Sequence, residues 1–253
     1  MYMKTLFLSF LLLGVLACKD GIAPPPVPPI TTQNGSLLLK FEHFWGANGS
    51  FSCNEWLVHP VSGDSLRFDE LRYYLSGFVL EDSAGQAVVL PASIPLVAIT
   101  GPLFLVSIPD VPVGTYRKIS FDLGFTAETL QQNPTATFLN PLYGMYAGPD
   151  TGYLSVKTFG QAPASPTGNF QISLGGGSAA QPMHQRLSFP FTDGVLRLLN
   201  QREAGLDFDV DVAELWAVDM PLQQWHNVTT HGQQCVRMLG NLSGGFKYRH
   251  QHN

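Results

Sequence analysis

Charge is scarce along this chain. Of its 253 residues only 14 are Lys or Arg and 19 are Asp or Glu, and the formal net charge is −5. No basic run reaches the density that a phosphate backbone demands, which excludes nucleic acid as a partner. The longest apolar stretch, Leu6 to Leu16, is too short for a bilayer-spanning helix, which needs about 20 residues. Organised catalytic signatures are also missing. No nucleophile elbow or zincin helix gathers Asp122, Glu128 or Asp150 around a histidine. The run Gly175-Gly176-Gly177-Ser178 lacks the lysine and the strand–turn–helix setting of a phosphate loop, and reads as a turn. The chain is therefore expected not to be an enzyme.

Cysteine is rare too, with three residues in all. The first has a specific context. Lys4 precedes the apolar run, and the run ends in Val15-Leu16-Ala17-Cys18. This pattern resembles a bacterial lipobox, with residues 1–17 as signal peptide and Cys18 as the lipidated amino terminus. Several acyl chains hold durably where one holds weakly, at about 0.8 kcal/mol per buried methylene. Residues 18–36 follow as a tether. Pro24, Pro25, Pro26, Pro28 and Pro29 remove backbone donors and favour an extended spacer. The reading is a lipid-anchored protein of the bacterial cell envelope, at the outer membrane, whose partner is the membrane itself. Cys53 and Cys235 then form the one remaining pair. They are expected to make a disulfide, with two buried thiols or thiolate copper ligands as alternatives.

What is abundant is turn-forming and apolar: 25 Gly, 19 Pro and 45% hydrophobic residues. Short alternating segments recur between turns, the pattern of strands with one buried face. They include Ser36–Phe44, Leu66–Phe68 leading into Leu71–Leu80, Ala87–Leu90, Leu103–Ile108, Lys118–Phe125, Gly152–Thr158, Asn169–Leu174, Gln185–Phe191 and Leu206–Val212. Thr126–Thr151 has no steady period and reads as a long loop, or a short helix plus loop. Cys235, Met238, Leu239 and Leu242 mark a short amphipathic helix within Thr230–Leu242, and Phe246–Asn253 reads as a final strand. The expected fold is all-β, an antiparallel β-sandwich or partly open barrel over residues 37–253, with long loops and a short C-terminal helix.

Several of these segments, in order, resemble the MbnP-like family of copper-associated periplasmic proteins and lipoproteins. They are Phe41-Glu42-His43 with Gly46, Arg72-Tyr73-Tyr74-Leu75-Ser76, Val113-Gly114-Thr115-Tyr116, and Ile119-Ser120-Phe121-Asp122-Leu123-Gly124. Leu139-Asn140-Pro141, Gly144-Met145-Tyr146, Thr151-Gly152-Tyr153, Phe246 and His250-Gln251-His252-Asn253 continue the series. The resemblance implies a copper-binding protein of the envelope, serving uptake or storage. Two of the family's metal-site features are missing. Tryptophans that follow the Gly-Met-aromatic element, one convertible to a copper-binding kynurenine, correspond here to Ala147 and Pro149. A histidine before the later Gly-Gly corresponds to Ser173.

Seven histidines remain: 43, 59, 184, 226, 231, 250 and 252. Neutral imidazole suits Cu(II), which leads the divalent affinity series. His43 matches the family's first-strand histidine. His250 and His252, two apart, face the same way on a strand and would chelate together; on a loose end they would merely be exposed. The expected metal ligands are therefore His43, His250 and His252, with copper as the cofactor. The alternative is a family member that has lost the metal and acts in extracellular recognition or assembly.

Overall fold

The computed structural model describes residues 33–47, 49–99, 103–132, 137–176, 183–230 and 232–253. The signal peptide, Cys18, most of the tether and His231 lie outside the described residues.

Strands dominate. In chain order they are β1 (Asn34–Trp45), β2 (Gly49–Ser50), β3 (Trp56–Val58), β4 (Ser65–Asp82), β5 (Ala87–Val89), β6 (Leu96–Ile99), β7 (Leu103–Pro112) and β8 (Gly114–Leu123). After the short helix α1 (Ala127–Gln132) come β9 (Leu154–Gln161), β10 (Asn169–Gly175), β11 (Gln185–Pro190), β12 (Leu196–Leu198) and β13 (Glu203–Asp211). The chain closes with α2 (Leu222–Trp225), β14 (Asn227–Thr230), α3 (Gln233–Gly244) and β15 (Phe246–His252). All-β architecture, the helix-and-loop character of 126–151, the late amphipathic helix and the final strand agree with the sequence reading. The segments 66–68 and 71–80 merge into the single long strand β4.

Two sheets share one core. The smaller runs β15-β13-β1-β2, with β7 on the other side of β1; the larger runs β11-β8-β4-β9-β10-β14, with β12 on β8 and β3, β5 and β6 on β4. Most pairings are antiparallel, but β1–β13 and β10–β14 are parallel. Neither parallel pair joins strands adjacent in sequence, so local turn signals could not reveal them.

The β1–β13 register decides what faces the core. Phe41 lies opposite Phe208 and His43 opposite Val210, while Lys40 pairs with Asp207 and Glu42 with Asp209. Because side chains alternate, the first set points inward and the second outward. Phe41 and Phe208 stack at 5.3 Å, and both meet Phe121 edge-on at 6.0 and 5.5 Å. At the end of β1 the chain turns at Gly46, whose φ of +67° suits glycine, and its N–H donates to Asp211 Oδ1 at 2.9 Å. That bond ties the ends of β1 and β13 together.

The paired tyrosines of β4 serve two cores. Tyr73 points into the main one, while Tyr74 joins a smaller cluster with Ile94, Leu96, Leu139, Met145 and Leu154. Met145 is thus a packing residue.

The expected disulfide is not formed: no S–S bond joins Cys53 to Cys235. Each sulfur is engaged in its own surroundings. Cys53 Sγ donates to the Ile99 carbonyl at 3.3 Å, and Cys235 packs into the core from the first turn of α3. Burial raises both thiols, Cys235 to about 11.

The aromatic contact across β1 and β13 sets a prediction. Phe208→Ala removes the ring that Phe41 stacks upon and should cost about 3–5 kcal/mol. Chemical denaturation would register this as a lowered midpoint with an unchanged slope.

Candidate metal centre

The outward face of the small sheet carries the cluster. β15 pairs with β13 in antiparallel fashion, but the register shifts between Asp207 and Phe208: Phe208 faces Tyr248, and Asp207 faces His250. Arg249 is the extra residue, so a β-bulge sets Arg249 and His250 together opposite Asp207. The bulge also reverses the alternation of β15. Phe246 and Tyr248 contact core rings, whereas His250 and His252 emerge on the outer face with Asp207. His252 lies opposite Gly205, where a Cβ would sit 3.1 Å from the imidazole Cδ2. The bare glycine leaves space for the ring to lean toward Asp207.

The three donors converge. His252 Nε2 is 3.2 Å from Asp207 Oδ1, His250 Nε2 is 3.6 Å from Asp207 Oδ2, and one ligand atom from each residue lies within 4.8 Å of the others. Ligand atoms about 2.0–2.1 Å from a tetrahedral metal ion stand roughly 3.3 Å apart. The two histidine–carboxylate separations lie near that value but run to different oxygens of Asp207, so a divalent ion would have to draw the three side chains in around it. Both histidine side chains are partly open to solvent, whereas the Asp207 side chain is only 6% exposed.

A buried carboxylate needs compensation. Asp207 receives it from Arg249 Nη2 at 3.2 Å and Lys40 Nζ at 3.9 Å, beside the two imidazoles. Burial alone would push its carboxyl up. The hydrogen bonds from His252 and Arg249, with the positive charge nearby, outweigh burial and hold it below its ordinary value. Asp209, one step along the same face, moves the other way. Burial raises it, with help from the charges of Glu42 and Asp207, and the facing Arg249 does not cancel the effect.

Of the expected ligands, the structure brings His250 and His252 together and leaves His43 out. His43 is fully buried on the inward face of β1, and its Nε2 lies 2.8 Å from the Tyr73 hydroxyl. Burial keeps that hydroxyl protonated by raising it well above its ordinary value. Asp207 is the residue the sequence reading missed. Its only local signal was an acid sandwiched between Leu206 and Phe208 within an alternating strand.

His59 and His226 have surroundings of their own. His59 is buried, its Nε2 3.1 Å from the Ala213 carbonyl and its Nδ1 accepting from Ser62 N. His226 lines an open groove of about 480 Å³ with Lys157, Phe159, Asn169, Gln171 and Asn227. No helix among the described residues is long and apolar enough to cross a membrane.

Comparison with known proteins gives the family. The MbnP family model matches residues 34–236, most of the chain. This chain belongs to the MbnP family. Membership makes it a copper-associated protein of a non-catalytic kind. A solved structure, MbnP from Methylosinus trichosporium, aligns with 14% identity and a TM-score of 0.47, covering 72% of this chain and 78% of that one. No curated protein matches. The family match takes in Asp207 but stops before His250 and His252.

The lowered Asp207 carboxyl makes a pH signature. Its ionised form is favoured in the folded state, so the stability it contributes is complete above the unfolded carboxylate range. That contribution fades as pH falls through the lowered native value. Asp207→Asn should flatten this acid limb while leaving the opposite trend from Asp209. Urea denaturation of both proteins across the acidic range measures the difference.

Proposed function

We propose that this chain is a lipid-anchored protein of the bacterial cell envelope that binds copper at Asp207, His250 and His252. The observation that carries the metal reading is the convergence of two imidazoles and one buried carboxylate at spacings suited to a divalent ion. Imidazole nitrogen with carboxylate oxygen is a borderline-to-hard donor set. It favours Cu(II) over Cu(I), for which thiolate or thioether would be the better partner. Asp207 takes the place that the sequence reading gave to His43. The two solvent-open histidines make the ion exchangeable, which suits capture and delivery in uptake or storage.

Titration of the purified full-length protein in detergent with Cu(II), followed by electron paramagnetic resonance, tests the site. One equivalent should bind with nitrogen hyperfine coupling. Asp207→Asn and the His250→Ala/His252→Ala pair should each weaken it at least tenfold, about 1.4 kcal/mol. Absence of binding at micromolar protein, or affinity indifferent to these changes, would overturn the assignment.

The anchor reading rests on Val15-Leu16-Ala17-Cys18 followed by the proline-rich stretch. Expression in a bacterial host should give acylated protein in the membrane fraction. Cys18→Ala should abolish acylation, as read by mass spectrometry of the amino terminus.

A second reading, a recognition or assembly lipoprotein without metal, draws on Ala147, Pro149 and Ser173 standing where the family pattern has aromatic and imidazole groups. It also draws on the inward burial of His43. A protein that is folded and acylated yet silent to copper would favour it.

A further inference from the structure

The bulge that carries the histidines to the outer face also brings a cation to the same carboxylate. Arg249 reaches three acids at once: Glu42 Oε2 at 2.7 Å, Asp207 Oδ2 at 3.2 Å and Asp209 Oδ1 at 3.2 Å. Lys40 approaches the same Asp207 oxygen at 3.9 Å. That oxygen is also the one nearest His250 Nε2. A metal ion seated between the imidazoles and Asp207 would draw on the carboxylate that Arg249 now neutralises.

We propose that Arg249 is a built-in competitor for the metal, a guanidinium latch that occupies Asp207 in the metal-free protein and is handed to Glu42 and Asp209 when a divalent cation arrives. This rests on the metal reading of Asp207, His250 and His252. The receiving side is already in place. Arg249 Nη1 makes its shorter contact with Glu42, and Asp209 Oδ1 is buried without a satisfied hydrogen bond despite the nearby guanidinium. A small rotation of the guanidinium away from Asp207 would serve that orphaned oxygen, so part of what Arg249 loses is regained.

Two consequences follow from charge alone. Without Arg249 the metal-free site would hold a buried carboxylate with less compensation, so metal would bind more tightly. With Arg249 the empty state is stabilised, which weakens affinity and favours release to an acceptor. The latch thus acts on exchange rather than on ligand geometry: Arg249 is a positioning residue that acts through Asp207, while the histidines and carboxylate remain the ligands. Because charge-assisted hydrogen bonds to carboxylate are stronger than neutral ones, their removal should show as a change of about tenfold or more in metal affinity.

Calorimetric titration with Zn(II), a redox-silent probe, on the full-length protein and its Arg249→Gln and Arg249→Lys variants tests the latch. Thermal melting of the metal-free proteins checks that each is folded. Arg249→Gln should bind Zn(II) about tenfold more tightly than wild type and release it more slowly to a chelator. Arg249→Lys, which keeps the charge but lacks the forked donor, should fall between them. If wild type binds and Arg249→Gln binds with equal or lower affinity while folded, the latch is wrong and the metal site stands. If neither wild type nor the folded Arg249→Gln protein binds Zn(II) or Cu(II), the metal reading itself fails and the latch with it. Should Arg249→Gln not fold, tightening in Arg249→Lys supports the latch, and unchanged affinity there overturns it.

Discussion

The parallel pairing of β1 with β13 is the constraint on which both faces of the small sheet depend. One register places Phe41 against Phe208 in the core and Lys40 against Asp207 outside it. A slip by one residue would exchange these sets, burying charges and exposing aromatic rings. The cost of that exchange fixes the register more firmly than the backbone hydrogen bonds could alone. The outer cluster therefore inherits its geometry from an apolar contact on the far side of the strand, and the Gly46–Asp211 bond secures the strand ends that set it.

On the outer face electrostatics takes over. Asp207 is nearly as buried as a core residue although it belongs to the solvent side, because Lys40, Arg249, His250 and His252 close over it. A carboxylate in that position is costly without cations and strongly held with them. The same compensation can come from protein side chains or from a metal ion. This interchange links the lowered Asp207 carboxyl, the solvent-open imidazoles and the shared arginine in one network. Asp209, raised by burial and by its acidic neighbours, shows what happens on this face when compensation is incomplete.

Much of the fold was legible in the sequence because strand signals are local. Alternation marked β1, β8 and β15, the aperiodic stretch marked the region around α1, and the spacing of Cys235, Met238, Leu239 and Leu242 marked α3. The parallel pairings were not legible, since nothing local distinguishes a strand that pairs across more than 160 intervening residues. The site was half legible. Two histidines two apart on a terminal strand pointed to a chelating pair. But simple alternation from Phe246 and Tyr248 would have turned His250 and His252 inward, on the side of His43. The bulge at Arg249 reverses that parity, and Asp207 came into view only once β13 was known to be the neighbour of β15. The Cys53–Cys235 pairing failed for a related reason: leftover cysteines suggested a partner, while each sulfur had found its own burial.

The position of the cluster at a sheet edge lets its exposed residues change without disturbing the core. His43 and Tyr73 form a buried polar pair inside the barrel-like core, where any change of partner must be accommodated by close-packed rings. β15 pairs with β13 alone among the described strands, and its bulge, its outward histidines and its arginine disturb no core contact. An edge strand can change its exposed residues at little cost to stability, provided its inward anchors, here Phe246 and Tyr248, stay in place. The imidazoles of the cluster are supplied by β15 and its carboxylate by β13. The cluster thus joins histidines on an edge strand, whose outer residues the fold constrains least, to a carboxylate on β13, whose register the core constrains most.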